Sequence, residues 1–273
     1  MRFRPLFLLI FLVATGLSGL AEGYEINFSI PSFQGDTLVL GHRFNASFVP
    51  QDTVIADSQG SGSFTGDDSL PEGMYLLFLP DQTFFDLLIG KDQFFEFKTD
   101  TGDYTANMKI RGSVDNEAFY AYQLYLKESR EKAQALQAKL SAATNAADSA
   151  SSRKALDQLN ASVRHHIDEL ISANQDNFFG VFLKALQEVR VPDPPLGANG
   201  KPIDPGFRYK YYKAHYFDNF DFTDVRLLRT PFYEQKIMTY IEKVAFQSPD
   251  SIIVDVDMLI EGSRSDPQLF RYM

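Results

Sequence analysis

From Tyr24 onward apolar and polar residues alternate strictly through Tyr24-Glu25-Ile26-Asn27-Phe28-Ser29-Ile30, the period of a strand with one buried face. Gly35-Asp36 marks a turn, and further strands are predicted over 37–40, 53–56, 61–65, 74–79, 84–89, 94–98 and 108–110. Turn-forming strings separate them: Pro50-Gln51-Asp52, Gly66-Asp67-Asp68, Pro71-Glu72-Gly73, Pro80-Asp81, Gly90-Lys91-Asp92 and Thr101-Gly102-Asp103. About eight short strands with no room for crossover helices predict an antiparallel β-sandwich-like domain over 22–112.

The period changes after Gly112. Ser113 or Asp115 is placed to cap a helix that Asn116-Glu117-Ala118 opens, and Phe119, Tyr122, Leu126, Ala133, Leu136 and Leu140 follow at helical spacing. Residues 142–152, rich in Ala, Ser and Asn, read as an exposed connector. Leu156, Leu159, Val163, Ile167 and Leu170 form the stripe of a second helix over 153–173. The region 113–190 is therefore expected to hold an antiparallel helical hairpin, followed by a shorter apolar helix over 178–189. Five prolines and three glycines make 191–206 a loop. Within 207–273, Thr230-Pro231, Ser248-Pro249 and Asp266-Pro267 each place a capping side chain before a proline, a residue tolerated at the first helical position. The first two helices are predicted to run to about Phe246 and Ile260. The third is short, which predicts poor burial of Leu269, Phe270 and Tyr272 and a helical domain that is incomplete at Met273. The fold class expected is α+β, an antiparallel β-sandwich-like domain followed by an α-helical one.

The start of the chain follows a different rule. Arg2 and Arg4 precede an apolar run over 6–13, and Gly19-Leu20-Ala21 puts small residues at the exit, the layout of a cleaved signal peptide over 1–21 with Glu22 as the new N-terminus. Gly16, Ser18 and Gly19 interrupt the run before it reaches the ~20 residues of a spanning helix. No cysteine is present for a lipid anchor. The expected location is the periplasm or cell envelope, with no integral span after cleavage. Of 26 Lys and Arg, Arg2 and Arg4 leave with the leader, so 24 stand against 36 Asp and Glu and the formal charge moves from −10 to −12. That sign argues against nucleic acid as a partner. The absence of Cys removes thiol chemistry and disulfides, so stability must come from packing, for which 25 Phe and 13 Tyr supply the bulk.

Two sets of residues carry a resemblance. Gly35-Asp36-Thr37-Leu38-Val39-Leu40 and Gly112-Ser113-Val114-Asp115-Asn116-Glu117 resemble the N-terminal domain of unknown function of secreted thiol–disulfide oxidoreductase-like proteins of Gram-negative bacteria. His215-Tyr216-Phe217-Asp218-Asn219-Phe220-Asp221-Phe222 and Arg226-Leu227-Leu228-Arg229-Thr230-Pro231-Phe232 resemble the helical domain that often follows it. The resemblance implies a thioredoxin-like domain after these two. No catalytic residue of that family carries over, because this chain stops before any such domain.

Candidate sites are few. His165-His166 point about 100° apart on a helix and do not converge on one ion. His42 and His215 are isolated in the sequence. Asp218, Asp221 and Asp224 are spaced for calcium but lack the EF-hand pattern, and capping or turn formation explains them better. Asp255 and Asp257 are expected on the wet side of their helix. Asn27, Asn45 and Asn160 open glycosylation-like triplets that a bacterial-type chain matches by chance. The aromatic block over 207–222 reads in two ways. Tyr209, Tyr211, Tyr212, Tyr216, Phe217 and Phe220 are the candidates for a glycan- or peptide-stacking surface, and the alternative is core that locks the loop onto its domain. No residue is assigned a catalytic, cofactor or metal role. The function expected is a non-catalytic accessory or docking region for a thioredoxin-like domain of the same envelope protein. The alternative is a periplasmic or surface glycan- or peptide-binding protein, and a hydrolase lacks a nucleophile–base pair.

Overall fold

The computed structural model describes residues 23–44 and 47–273. The expected leader over 1–21, its cleavage before Glu22 and the triplet at Asn45 lie outside the described residues. Strands β1 (Tyr24–Ser29), β2 (Thr37–Phe44), β3 (Ser47–Ile55), β4 (Ser61–Gly66), β5 (Gly73–Phe78), β6 (Phe84–Ile89), β7 (Phe94–Lys98) and β8 (Lys109–Arg111) form two sheets of order β4-β1-β7-β8 and β3-β2-β5-β6. Pairing is antiparallel except between β1 and β7, which run parallel with Glu25 opposite Phe94. The long connection that a parallel pair needs is supplied here by the whole second sheet together with β4, and not by an α-helix.

The alternation in β1 turns Ile26 and Phe28 inward, where Phe28 meets Phe64 and Phe97 at ring distances of 5.3 and 6.2 Å. Phe85 of β6 closes on Phe97 at 5.7 Å, so the core between the sheets is aromatic. The expected turn at Pro50-Gln51-Asp52 is instead part of β3. The register slips there, pairing Leu40 with Asp52 and Gly41 with Pro50, so Gln51 is the extra residue of a bulge. Proline is tolerated because β3 is an edge strand.

A short helix α1 (Tyr104–Asn107), capped by Asp103, was not legible in the turn string that precedes it. Helices α2 (Val114–Ala142) and α3 (Ala146–Ala173) form the expected hairpin, but its connector is only 143–145. Asn145 accepts from Asp148 N and caps α3, and alanines continue the helix through the stretch read as a loop. Residues α4 (Phe178–Ala185) and α5 (Phe207–Ala214) follow, then a 3-10 turn Val225–Arg229, α6 (Tyr233–Thr239) continued by a π turn Tyr240–Val244, α7 (Pro249–Ser263) and α8 (Pro267–Tyr272). Ser248 and Asp266 cap α7 and α8 as the sequence predicts. Thr230 does not cap α6. Its hydroxyl donates back to Leu227 O at 2.6 Å and closes the preceding turn. Leu269 is fully buried and Tyr272 packs edge-on against Tyr233 at 5.4 Å, contrary to the poor burial expected, while Phe270 stays exposed.

Helix α2 covers the open edge of β6. The Asn116 side chain accepts from Leu88 N at 2.8 Å and donates to Leu88 O at 2.7 Å, as a neighbouring strand would, and Tyr120 OH donates to Asp86 O at 2.8 Å. Leu76 and Leu88 alternate with Phe85 and so point away from the other sheet, yet both are buried, because α4 and the 3-10 turn cover that face.

Candidate functional site

Helical spacing divides the aromatic block into two rows. Phe207, Tyr211 and His215 form one, with Tyr211 stacked on His215 at 4.0 Å and 28°. Tyr211 and His215 of this row line a cleft of about 410 Å³ between α5 and the ends of α3 and α4. The other row turns inward. Tyr216 and Phe220 are buried, and Tyr216, Phe217 and Phe220 pack on Tyr240, Phe222 and Tyr233 at ring distances between 4.6 and 5.4 Å. Tyr212 is half-buried and edge-on to Tyr216 at 83°, and Tyr209 is exposed with its hydroxyl donated to Val244 O at 3.1 Å. The six candidate aromatics are thus not one coplanar surface: along α5 neighbouring side chains turn by about 100° each, and Tyr216, Phe217 and Phe220 lie in the turns that follow the helix.

The polar groups of the cleft satisfy one another. His215 Nδ1 lies 2.7 Å from Asp218, Arg190 lies 3.3 Å from Asp168, and Asn219 donates to Glu188 O at 3.4 Å. Ser172 is the aliphatic hydroxyl in the lining, and it donates to Asp168 O one turn earlier at 2.9 Å, not to His215. Lys184 connects this cleft to a neighbour of about 380 Å³ that Asp218, Asp221 and Asp224 also line. Asp221 accepts from Thr223 and Asp224 clamps Arg226 at 2.6 Å, so these acids form turns and caps. Among the described residues no group of three metal-ligating side chains converges. His165 pairs with Glu169 at 3.2 Å on an exposed face and His166 lies against Tyr125 at 4.1 Å. His42 contacts Tyr75, and burial lowers its pKa.

Three buried polar positions escaped the sequence reading. Asp255, expected to be wet, is buried and held by Lys213 at 2.7 Å and by Tyr240 OH at 3.0 Å, which ties α5 and the π turn to α7. Asp115 accepts from Phe179 N at 2.6 Å, and burial raises its pKa against the pull of that hydrogen bond. Gly90 lets its carboxylate approach, since a side chain there would collide with it. Arg229 is buried, donates to Gln268 at 2.6 Å and to Glu72 O at 3.5 Å, and leaves Nε without a partner among the described residues. The only sequence signals were an acid two residues after the Ser113 cap and an arginine inside an apolar string.

An apolar groove of about 280 Å³ runs between α6 and α7 and is closed by Tyr272 and Met273. Ile237, Met238 and Ile241 form one wall and Val256, Leu259 and Ile260 the other, and Glu234 is the polar member of the lining. Next to it Ile253 is 58% exposed. No described helix is long and apolar enough to cross a membrane.

Residues 24–119 match a domain of unknown function (DUF4369), and residues 199–273 match a second (DUF5106). The two spans contain the two sets of motifs that carried the resemblance, and 120–198, with α3 and α4, falls between them. No curated protein and no solved structure matches the chain.

Proposed function

We propose that this chain is a non-catalytic accessory and docking region of an exported envelope protein, and that it works beside a thioredoxin-like domain. The observation that carries the reading is the apolar groove between α6 and α7, whose α7 wall continues onto exposed Ile253. Apolar surface of that kind on a folded domain marks an interaction site. The order of the two matched domains and the motifs within them support the thioredoxin-like context. The leader pattern over 1–21 supports export.

The genomic sequence directly downstream of the Met273 codon tests the redox association. An open frame encoding a CxxC pair is expected, and a stop codon there removes that association. Export is tested separately by mass spectrometry, which should give an N-terminus near Glu22. Intact Met1 on a membrane-embedded product would overturn it.

A second reading, a glycan- or peptide-binding protein, is favoured by the Tyr211–His215 stack on the wall of the 410 Å³ cleft. Aromatic rings beside paired polar groups suit a sugar or a peptide. A glycan array probed with the protein and with Tyr211→Ala decides this, since signal that persists in the variant retires the cleft.

A further inference from the structure

We propose that the groove between α6 and α7 receives an amphipathic helix of a protein partner whose apolar stripe is flanked by lysine or arginine. The proposal rests on the reading of this face as a docking surface and adds the chemistry of the occupant. The groove supplies the apolar half. On α7, Val256, Ile260 and Ile253 fall at adjacent angles around the helix, so the apolar wall continues from the groove onto the exposed surface.

Charge supplies the other half. Next around α7 come Asp257, Asp250 and Glu261, all exposed, and within Pro249–Ser263 there are four acids and no basic residue. The opposite lip carries Glu234 on α6. Arg264 neutralises Glu261 at 2.9 Å, and Lys213 takes the buried Asp255. Glu234, Asp250 and Asp257 have no ion-pair partner among the described residues. An apolar trough with unpaired acids on both lips is complementary to a helix with a leucine-like stripe and basic flanks. A second copy would set acid against acid, and an anionic lipid surface would be repelled for the same reason.

The test is fluorescence anisotropy of a labelled synthetic peptide of leucine and lysine, with leucines at helical spacing, against the full chain. The controls are a scrambled peptide of the same composition and one with glutamate for lysine. The patterned lysine peptide should bind at least about tenfold tighter than either control, with an affinity that falls as salt rises. Met238→Ser with Ile253→Ser, and separately Glu234→Lys with Asp257→Lys, should each weaken binding by about tenfold or more while melting temperature stays unchanged. Glu128→Lys with Glu131→Lys makes the same charge change on exposed sites of α2 and should leave binding intact. Equal binding of the scrambled peptide, an equal loss in the α2 variant, or no loss in the groove variants overturns the proposal. So does self-association in light scattering that the groove variants abolish, because the occupant is then a second copy. The downstream reading frame is an independent measurement: a stop codon with patterned binding intact leaves this proposal standing while the thioredoxin association falls.

Discussion

Among the described residues Arg229 is a buried cation with no carboxylate against it. Burial lowers its pKa, and its hydrogen bonds go to Gln268 of α8 and the carbonyl of Glu72 beside β5. It reaches that carbonyl because Gly73, at φ +153°, has no side chain, and a Cβ there would lie 2.7 Å from Arg229 Cβ. Gly73→Ala should therefore cost about 1–3 kcal/mol in urea denaturation through overpacking and backbone strain. Arg229→Met keeps the stem and removes an unpaired charge, so its stability is expected within about 1 kcal/mol of the parent or above it. Asp86 is the second residue with a defined liability. Burial pushes its carboxyl up to about 6, with Arg43 pulling it partly back. A folded pKa above the ordinary 3.8 means that the group contributes stability below that value and loses it as pH rises through about 6. Asp86→Asn should flatten the pH dependence of the denaturation midpoint across that window and stabilise the protein above it. A variant that follows the parent curve would place the titration elsewhere.

Elements whose signals are local were legible in the sequence, and those decided by distant partners were not. The eight strands follow from period two and turn residues, and the Ser113, Ser248 and Asp266 caps from a side chain and a backbone N–H within three residues. Pro50 misled because the bulge that absorbs it depends on the edge position of β3, which only the sheet order sets. Asp255 misled because Lys213 and Tyr240 arrive from other helices. The aromatic block was legible as aromatic, but the division between cleft and core required the register of α5. The helical reading of the hairpin makes a protease prediction. Cleavage should appear within 191–206 before any within 146–152, since the first is loop and the second is the opening of α3. Early cuts in 146–152 would show that α3 starts later. Ser113 accepts from Asn116 N and from its side chain, so Ser113→Ala should cost about 1 kcal/mol or more and loosen the cover on β6.

Across the whole molecule the sheets and helices share their interior. Buried residues of the sandwich, α4, the aromatic segment and α8 form one apolar cluster, so the two matched domains are expected to unfold in a single transition. Phe220→Ala, at the centre of the helical side, should lower that transition by about 3–5 kcal/mol without splitting it. Two resolved transitions in calorimetry would show that the halves are independent. A fragment of 22–112 would lack the cover over Leu76, Leu88 and the β6 edge, and is expected to bind a hydrophobic dye and aggregate. The parallel pairing of β1 with β7 has a consequence for synthesis. The first strand made is an interior strand, and one flank stays open until Phe94–Lys98 has left the ribosome. A nascent chain therefore carries Ile26 and Phe28 on an unfinished sheet through most of the first domain, while α2 and α3 need only their neighbours in sequence to pair. Refolding should show a fast helical phase followed by a slower closure set by this one late strand.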